Sequence, residues 1–268
     1  MKLEIISGNK EKKGSIDMPE QFSEHIRKDI IKKAFEAESA GKRQPYGASP
    51  EAGFRHSTFA SKRRHNYRGT YGIGQSRTPR KILSRSGERM NWEGAFAPQT
   101  VGGRRAHPPK AKKMWKKKIN KKERNLAIRS AMAATLSREL AEKRGHVLPE
   151  EYPFIINDSI CGLTRTRQLK EFLDGIDFGS ELQRAKEKKV RAGKGKSRGR
   201  KYKRKKSLLI IVEGSCPLIS SGKNMPGIDI IDVKDLDVSV LAPGAVPGRL
   251  TLWTSKAVQK IAKDNLFI

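Results

Sequence analysis

Six aromatic side chains, Phe54, Phe59, Tyr67, Tyr71, Trp92 and Phe96, stand among Arg55, Arg63, Arg64, Arg68, Arg77, Arg80 and Arg89. A guanidinium offers phosphate oxygens a planar fork of N–H donors, and an aromatic ring offers a nucleobase a face to stack on. These residue types bind nucleic acid without making or breaking bonds. Residues suited to catalysis are scattered by contrast. His25, His56, His65, His107 and His146 form no His-Glu-x-x-His unit, and no Gly-x-Ser-x-Gly elbow occurs. Gly195-Lys196-Ser197 has the ending of a phosphate-binding loop, but Val190 stands where that motif needs glycine. Gly69, Gly72 and Gly74 lack the preceding apolar strand of a dinucleotide fingerprint. Glu51, Glu88 and Glu93, the acids of the basic stretch, are isolated, whereas a metal-dependent nuclease needs carboxylates in a cluster. Cys161 and Cys216 lie far apart with no Cys-x-x-Cys unit, the usage of a reducing compartment without structural zinc.

The chain has 268 residues and a formal charge of +30, which points to a polyanionic partner. Residues 41–122 hold 22 basic and 3 acidic groups, and residues 188–206 hold 12 basic and none acidic. The remaining segments are close to neutral, so the excess sits in two places instead of coating the surface. No stretch approaches the roughly 18 apolar residues of a membrane span, and no signal-peptide apolar region follows Met1.

The neutral segments read as a folded α/β domain, 1–40 and 110–268. Leu3–Ile6 predicts a strand. Phe22, Ile26, Ile30 and Ala34 predict a helix running to about Ala40. Asn120 and Glu123 resemble a capping box. They open a helix whose face carries Ala127, Ile128, Ala131, Met132, Ala134, Leu136 and Leu140 as far as Gly145. Phe154–Ile156 and Leu208–Val212 are continuous apolar runs, the pattern of parallel strands buried on both faces. Thr166–Leu173 and Ser180–Lys188 read as helices, Ile228–Ile231 and Leu250–Thr254 as strands, and Ser255–Lys263 as a closing helix. This alternation predicts a layered α/β/α domain with a mostly parallel central sheet.

Residues 41–109 form a long basic loop inserted between the first two helices, with no sustained period of 2 or 3.6. The loop is expected to be disordered alone and ordered on RNA; a flexible basic linker is the alternative reading. Its RNA-binding candidates are Arg43, Tyr46, Arg55, Arg63, Arg64, Arg68, Arg77, Arg80, Lys81, Arg104, Arg105 and His107. Lys121 and Lys122 open the second helix, where cations are unfavourable unless a phosphate lodges there. Within 188–206 the candidates are Lys194, Lys196, Arg198, Arg200, Lys201, Lys203 and Arg204, with a solvated linker as the alternative. An RNA-modifying enzyme and a DNA-compacting protein are the competing functional classes. The first lacks a cofactor fingerprint, and the second does not need an aromatic-rich arm.

Five blocks, in order, carry a family resemblance. They are Lys42-Arg43-Gln44-Pro45-Tyr46; Gly102-Gly103-Arg104-Arg105-Ala106-His107-Pro108-Pro109; Ile119-Asn120-Lys121-Lys122-Glu123-Arg124 with Arg129-Ser130-Ala131; Gly193 to Tyr202; and Leu241 to Leu250. Together they closely resemble the archaeal and eukaryotic branch of large-subunit ribosomal protein four, across almost the whole chain. The resemblance implies a non-enzymatic, cytoplasmic constituent of the large ribosomal subunit that binds rRNA early in assembly. Its loop would thread through rRNA to the exit tunnel. Neighbouring ribosomal proteins and the nascent chain would be its partners, with no cofactor beyond Mg2+ and K+ as rRNA counterions, and no homo-oligomer. Eukaryotic members carry a long C-terminal extension and this chain ends at Ile268, so an archaeal source is expected. A loop of this length folded back on itself reaches at most about 110 Å at ~3.3 Å per residue. Its far point is expected near Gly74 to Trp92, where Glu88 and Glu93 lower the charge. Arg85, Arg89, Met90 and Trp92 are the tunnel-lining candidates.

Overall fold

The computed structural model describes residues 1–87 and 89–268. In chain order the strands and helices are β1 (Lys2–Ile6), β2 (Lys12–Asp17), α1 (Lys28–Gly41), β3 (Arg80–Ser86), β4 (Arg89–Gly94), α2 (Lys121–Thr135), α3 (Arg138–Lys143), β5 (Ile155–Ile156), α4 (Thr166–Gly175), α5 (Gly179–Lys186), β6 (Lys188–Val190), β7 (Tyr202–Arg204), β8 (Leu209–Val212), α6 (Pro217–Gly222), β9 (Asp229–Asp232), α7 (Val238–Leu241), β10 (Thr251–Thr254) and α8 (Ser255–Lys263). They divide into two units, Met1–Lys42 with Lys116–Ile268, and Arg43–Trp115.

The larger unit is built on a six-stranded sheet ordered β2-β1-β5-β10-β8-β9. Only β2 runs antiparallel to its neighbour. Every residue of β8 and β10 is buried, because successive side chains feed opposite layers. Leu209, Ile211 and Trp253 pack with Ile31, Ala131, Leu241 and Ile261 of α1, α2, α7 and α8. Ile210, Val212 and Leu252 pack instead with Ala141, Leu169, Leu173 and Leu218 of α3, α4 and α6. The alanines of α2 have the expected role, with Ala127, Ala131 and Ala134 fully buried.

Local expectations need correcting in five places. The first long helix begins at Lys28 and not near Phe22, and it buries Ile31, Ala34 and Ala37. Its start is set from α2: the Ser130 hydroxyl accepts from the Arg27 N–H at 2.7 Å and donates to the His25 carbonyl at 2.9 Å. The capping box at Asn120 does not form, since both Glu123 oxygens accept from Lys33 at 3.0 Å. The helix expected to reach Gly145 is broken at Leu136; the Tyr152 hydroxyl takes the Thr135 carbonyl, and Ser137 caps α3. Residues 188–206, for which no strand was expected, hold an antiparallel hairpin of β6 and β7 instead of a solvated linker. Strand β2 escaped notice because Lys12–Asp17 has a single large apolar residue, Ile16, on an exposed edge.

The smaller unit corrects the reading of an aperiodic loop. Strands β3 and β4 pair antiparallel, with Arg80 opposite Gly94 and Ser86 opposite Arg89. Met90 and Trp92 alternate with exposed Arg89, Asn91 and Glu93, a period of 2 that the surrounding arginines obscured. Glu88, one of the two acids expected to interrupt the basic run, lies outside the described residues.

Candidate nucleic-acid interface

The β6–β7 hairpin sets cations against cations. Lys188 lies opposite Arg204 and Lys189 opposite Lys203, and like charges in that position destabilise a strand pair. Its ladder continues with the Arg191 N–H donating to the Lys201 carbonyl at 2.8 Å. The connecting loop is closed by Arg198 and Arg200 N–H groups on the Gly195 carbonyl and by the Ser197 hydroxyl on the Lys194 carbonyl. Lys194, Lys196, Arg198, Arg200, Lys201, Lys203 and Arg204 are all exposed. At the foot the charges are already paired, Lys205 with Glu187 at 2.9 Å and Lys206 with Asp229 at 2.8 Å.

Two buried charges anchor that foot through Ser207. Glu181, its side chain 1% exposed, accepts from the Ser207 hydroxyl at 2.7 Å, the Val147 N–H at 3.0 Å and Arg184 at 2.5 Å, and bonds His146 Nδ1 at 2.8 Å. Burial opposes its ionisation, but the hydrogen bonds from Arg184, His146, Val147 and Ser207 prevail and hold its carboxyl at about 2. Arg249, also 1% exposed, donates to the Ser207 carbonyl and the Val240 carbonyl, each at 2.9 Å, and to Asp229 at 2.5 Å. Asp229 responds likewise: burial raises its carboxyl, Arg249 and Lys206 outweigh burial, and it lies below the ordinary carboxylate value. The exposed basic hairpin therefore rises from a rigid, neutralised base.

In the smaller unit the arginine–aromatic interleaving becomes direct contact. Arg77 lies over Tyr71 at 4.5 Å and Arg80 over Trp92 at 5.2 Å, while Arg68 and Arg85 both lie over Tyr67, at 5.4 and 5.5 Å. Arg104 is 5.7 Å from both Phe54 and Phe96. These contacts sort the candidates. Arg80 is buried and turns back to the Ser76 hydroxyl at 2.9 Å, and Lys81 pairs with Glu93 at 3.5 Å. Arg63, Arg64, Arg77, Arg105 and His107 are exposed; Arg55 is exposed too, 3.7 Å from Glu51. Of the tunnel candidates, Arg85 and Arg89 are exposed, and Met90 and Trp92 are half-buried. Arg43 and Tyr46 gather on Trp115. The sequence reading missed Trp115, although its place in the run Lys112 to Lys118 was a usable signal.

At the start of α2, Lys121 and Lys122 are exposed, while Arg124 is engaged by Asp237 at 2.5 Å. At the sheet end where open α/β folds hold ligands, hydrogen bonds link two of the connecting segments. Adjacent strands β5 and β10 send their following helices to opposite faces, the crevice in which open α/β sheets hold ligands. Asp158, after β5, bonds the start of α8: one carboxylate oxygen accepts from the Lys256 N–H at 3.0 Å, and the other takes the Ser255 hydroxyl. Nearby, burial and then Cys216 and Asp158 push the Cys161 thiol up to about 11, so it is a poor nucleophile at neutral pH. Among the described residues no group of three or more His, Cys, Asp or Glu could hold a metal, and no helix is long and apolar enough to cross a membrane.

A layered α/β domain, a basic hairpin with like charges set opposite one another and an arm of arginine–aromatic contacts are the features of a structural protein with the chemistry to meet a polyanion. Residues 16–264 match the model of the ribosomal protein L4/L1 family. The chain is 46% identical to large ribosomal subunit protein uL4 of Nanoarchaeum equitans over 95% of each chain. It is 41% identical to the protein of that name from Archaeoglobus fulgidus, covering 98% of this chain and 99% of the relative. The counterpart from Methanococcoides burtonii is 44% identical over 98% and 97%. The chain belongs to the ribosomal protein L4/L1 family, in its archaeal branch, and is a structural ribosomal protein and not an enzyme.

Proposed function

We propose that this protein, a constituent of the large ribosomal subunit in the cytoplasm, binds rRNA through two separate surfaces and acts early in subunit assembly. The β6–β7 hairpin grips rRNA phosphates from the globular unit. The Arg43–Trp115 arm inserts among rRNA segments, and the β3–β4 hairpin at its centre contributes to the wall of the exit tunnel. The observation that carries this reading is the cross-strand pairing of Lys188 with Arg204 and Lys189 with Lys203. Such pairs repel in water and become favourable once phosphates lie between them. Mg2+ and K+ enter only as counterions of the rRNA, and neighbouring large-subunit proteins complete the surroundings.

The test of membership is co-sedimentation of the native protein with large subunits through high salt; recovery in the free fraction overturns it. The arm gives two further expected results. In the free protein, amide protection is expected at the hydrogen-bonded pairs of Arg80–Gly94 and at the Ala48–Pro109 closure, and on rRNA it spreads through the rest of Arg43–Trp115. Protection of the whole arm without RNA contradicts RNA-induced ordering. Shortening the hairpin in register, by removing Arg85–Met90 and joining Ser84 to Asn91, is expected to preserve subunit assembly. It should change stalling or sensitivity to tunnel-directed antibiotics. Blocked assembly with unaltered elongation in surviving ribosomes would place these residues in the rRNA-binding stem.

A further inference from the structure

At one end of the smaller unit the two limbs of the arm run side by side. The Ala48 N–H donates to the Pro109 carbonyl at 2.9 Å, and a Cβ on Gly47 would lie 2.4 Å from the Ala111 nitrogen. Glycine at 47 is needed for this approach. The next residue back, Tyr46, stacks on Trp115 with ring centroids 5.7 Å apart and planes inclined by 25°. Arg43 and Lys113 both lie over the Trp115 ring, 4.1 and 4.4 Å from its centroid. An open cavity of about 610 Å3 adjoins the rings, bounded further by Arg105, His107, Pro108, Pro109, Lys110 and Lys112.

Three features define what fits. The cavity wall holds four Lys or Arg besides Arg43 above the indole, and no Asp or Glu, so it calls for an anion. The Trp115 indole N–H is buried with no acceptor among the described residues, a rare condition that calls for an oxygen or ring nitrogen. Tyr46 is 57% exposed although Trp115 covers one of its faces, so the other face is open to a second flat ring. Inorganic phosphate leaves that face unused, an acidic peptide brings no flat ring of its own, and a base inside an RNA duplex has none to spare. A nucleotide turned out of its stack supplies all three.

We propose that this cavity takes one unstacked, single-stranded nucleotide of RNA. The base lies on Tyr46, the phosphate lies among Lys110, Lys112 and Lys113, and the Trp115 indole N–H donates to the ligand. The inference rests on the rRNA-binding reading and adds to it a defined nucleotide site in which Trp115 takes part.

The test measures binding of the full chain to rRNA extracted from its own large subunits, across a range of salt. Tyr46→Ala is expected to weaken binding about tenfold or more, the range of one base–aromatic stack, with no change in the salt slope. Tyr46→Phe, which keeps the ring, is expected to lose less than Tyr46→Ala, and a wild-type melting temperature in Tyr46→Ala serves as the fold control. Trp115→Phe, which removes the N–H, loses affinity severalfold. Ultraviolet irradiation of the wild-type complex should leave a mononucleotide adduct on a peptide containing Tyr46 or Trp115. Wild-type affinity in Tyr46→Ala, beside a wild-type protein that binds rRNA tightly, overturns the nucleotide site and leaves rRNA binding intact. A shallower salt slope in Tyr46→Ala also overturns it, since the rings would then only position cations. If the wild-type protein itself fails to bind rRNA, the underlying reading falls as well.

Discussion

Replacing Lys188, Lys189, Lys203 and Arg204 with glutamine is expected to weaken rRNA binding by roughly two to three orders of magnitude near 0.1 M salt, while the free protein keeps or gains stability. Each phosphate contact contributes about 0.7 to 0.9 to the slope of log K against log salt, so losing four flattens the slope by roughly 3. Stability moves the other way because the two cross-strand pairs, Lys188 with Arg204 and Lys189 with Lys203, repel in the absence of RNA. Lys205 and Lys206 are left out of the substitution because Glu187 and Asp229 already engage them. Filter binding over a salt series, with thermal unfolding of the free protein, checks both signs. An unchanged slope would mean that the hairpin carries solvated charge only. A fall in melting temperature would mean that its cations support the fold.

Glu181→Gln is expected to lower stability by on the order of 3–5 kcal/mol, the cost of leaving a buried charge without its partner. For a domain of this size the melting temperature then falls on the order of 10 °C. Arg184 loses its carboxylate, and Ser207, His146 and the Val147 N–H lose a shared acceptor. The acid dependence makes the attribution specific. The folded-state carboxyl lies at about 2, below its ordinary value of 4.5. Its stabilisation is therefore complete above about pH 4.5 and is lost as pH falls towards 2, amounting to about 3 kcal/mol across that window. Unfolding of the wild-type protein between pH 2 and 5 should show this loss, and the variant should show less of it. A variant that unfolds at the wild-type temperature, or with the same acid dependence, refutes the assignment. The consequence reaches function through geometry: Ser207 joins the basic hairpin to β8, so loosening Glu181 frees the hairpin's base and weakens rRNA binding without removing an RNA-facing cation.

The nucleotide site at Tyr46 and Trp115 extends the same logic to the arm. Arg43, Tyr46, Arg105 and His107 stood out in the sequence as separate candidates. Trp115 did not, because it lies 69 positions from Tyr46 and only the pairing of the two limbs brings them together. The sequence likewise could not separate Arg77, exposed beside Tyr71, from Arg80, folded back onto Ser76 and buried. Both are arginines near aromatic residues, and their difference is that Arg80 enters β3 opposite Gly94 while Arg77 precedes the strand.

The sequence by itself determined the partner class and the architecture. Charge is additive along a chain, so the excess in 41–122 and 188–206 was countable before any fold was known. Continuous apolar runs at Phe154–Ile156 and Leu208–Val212 fit strands buried on both faces of a sheet, which calls for helices on either side. Tertiary structure alone decided where local signals compete with distant partners. Glu123 had the spacing of a capping box but met Lys33, 90 positions away. The first helix had apolar spacing from Phe22 but started where Ser130 took the Arg27 N–H and the His25 carbonyl. In each case a hydrogen bond or ion pair between residues remote in sequence outweighed a preference worth about 1 kcal/mol or less per residue. Such pairings depend on which surfaces the packed core brings together, and that is set by the whole chain at once.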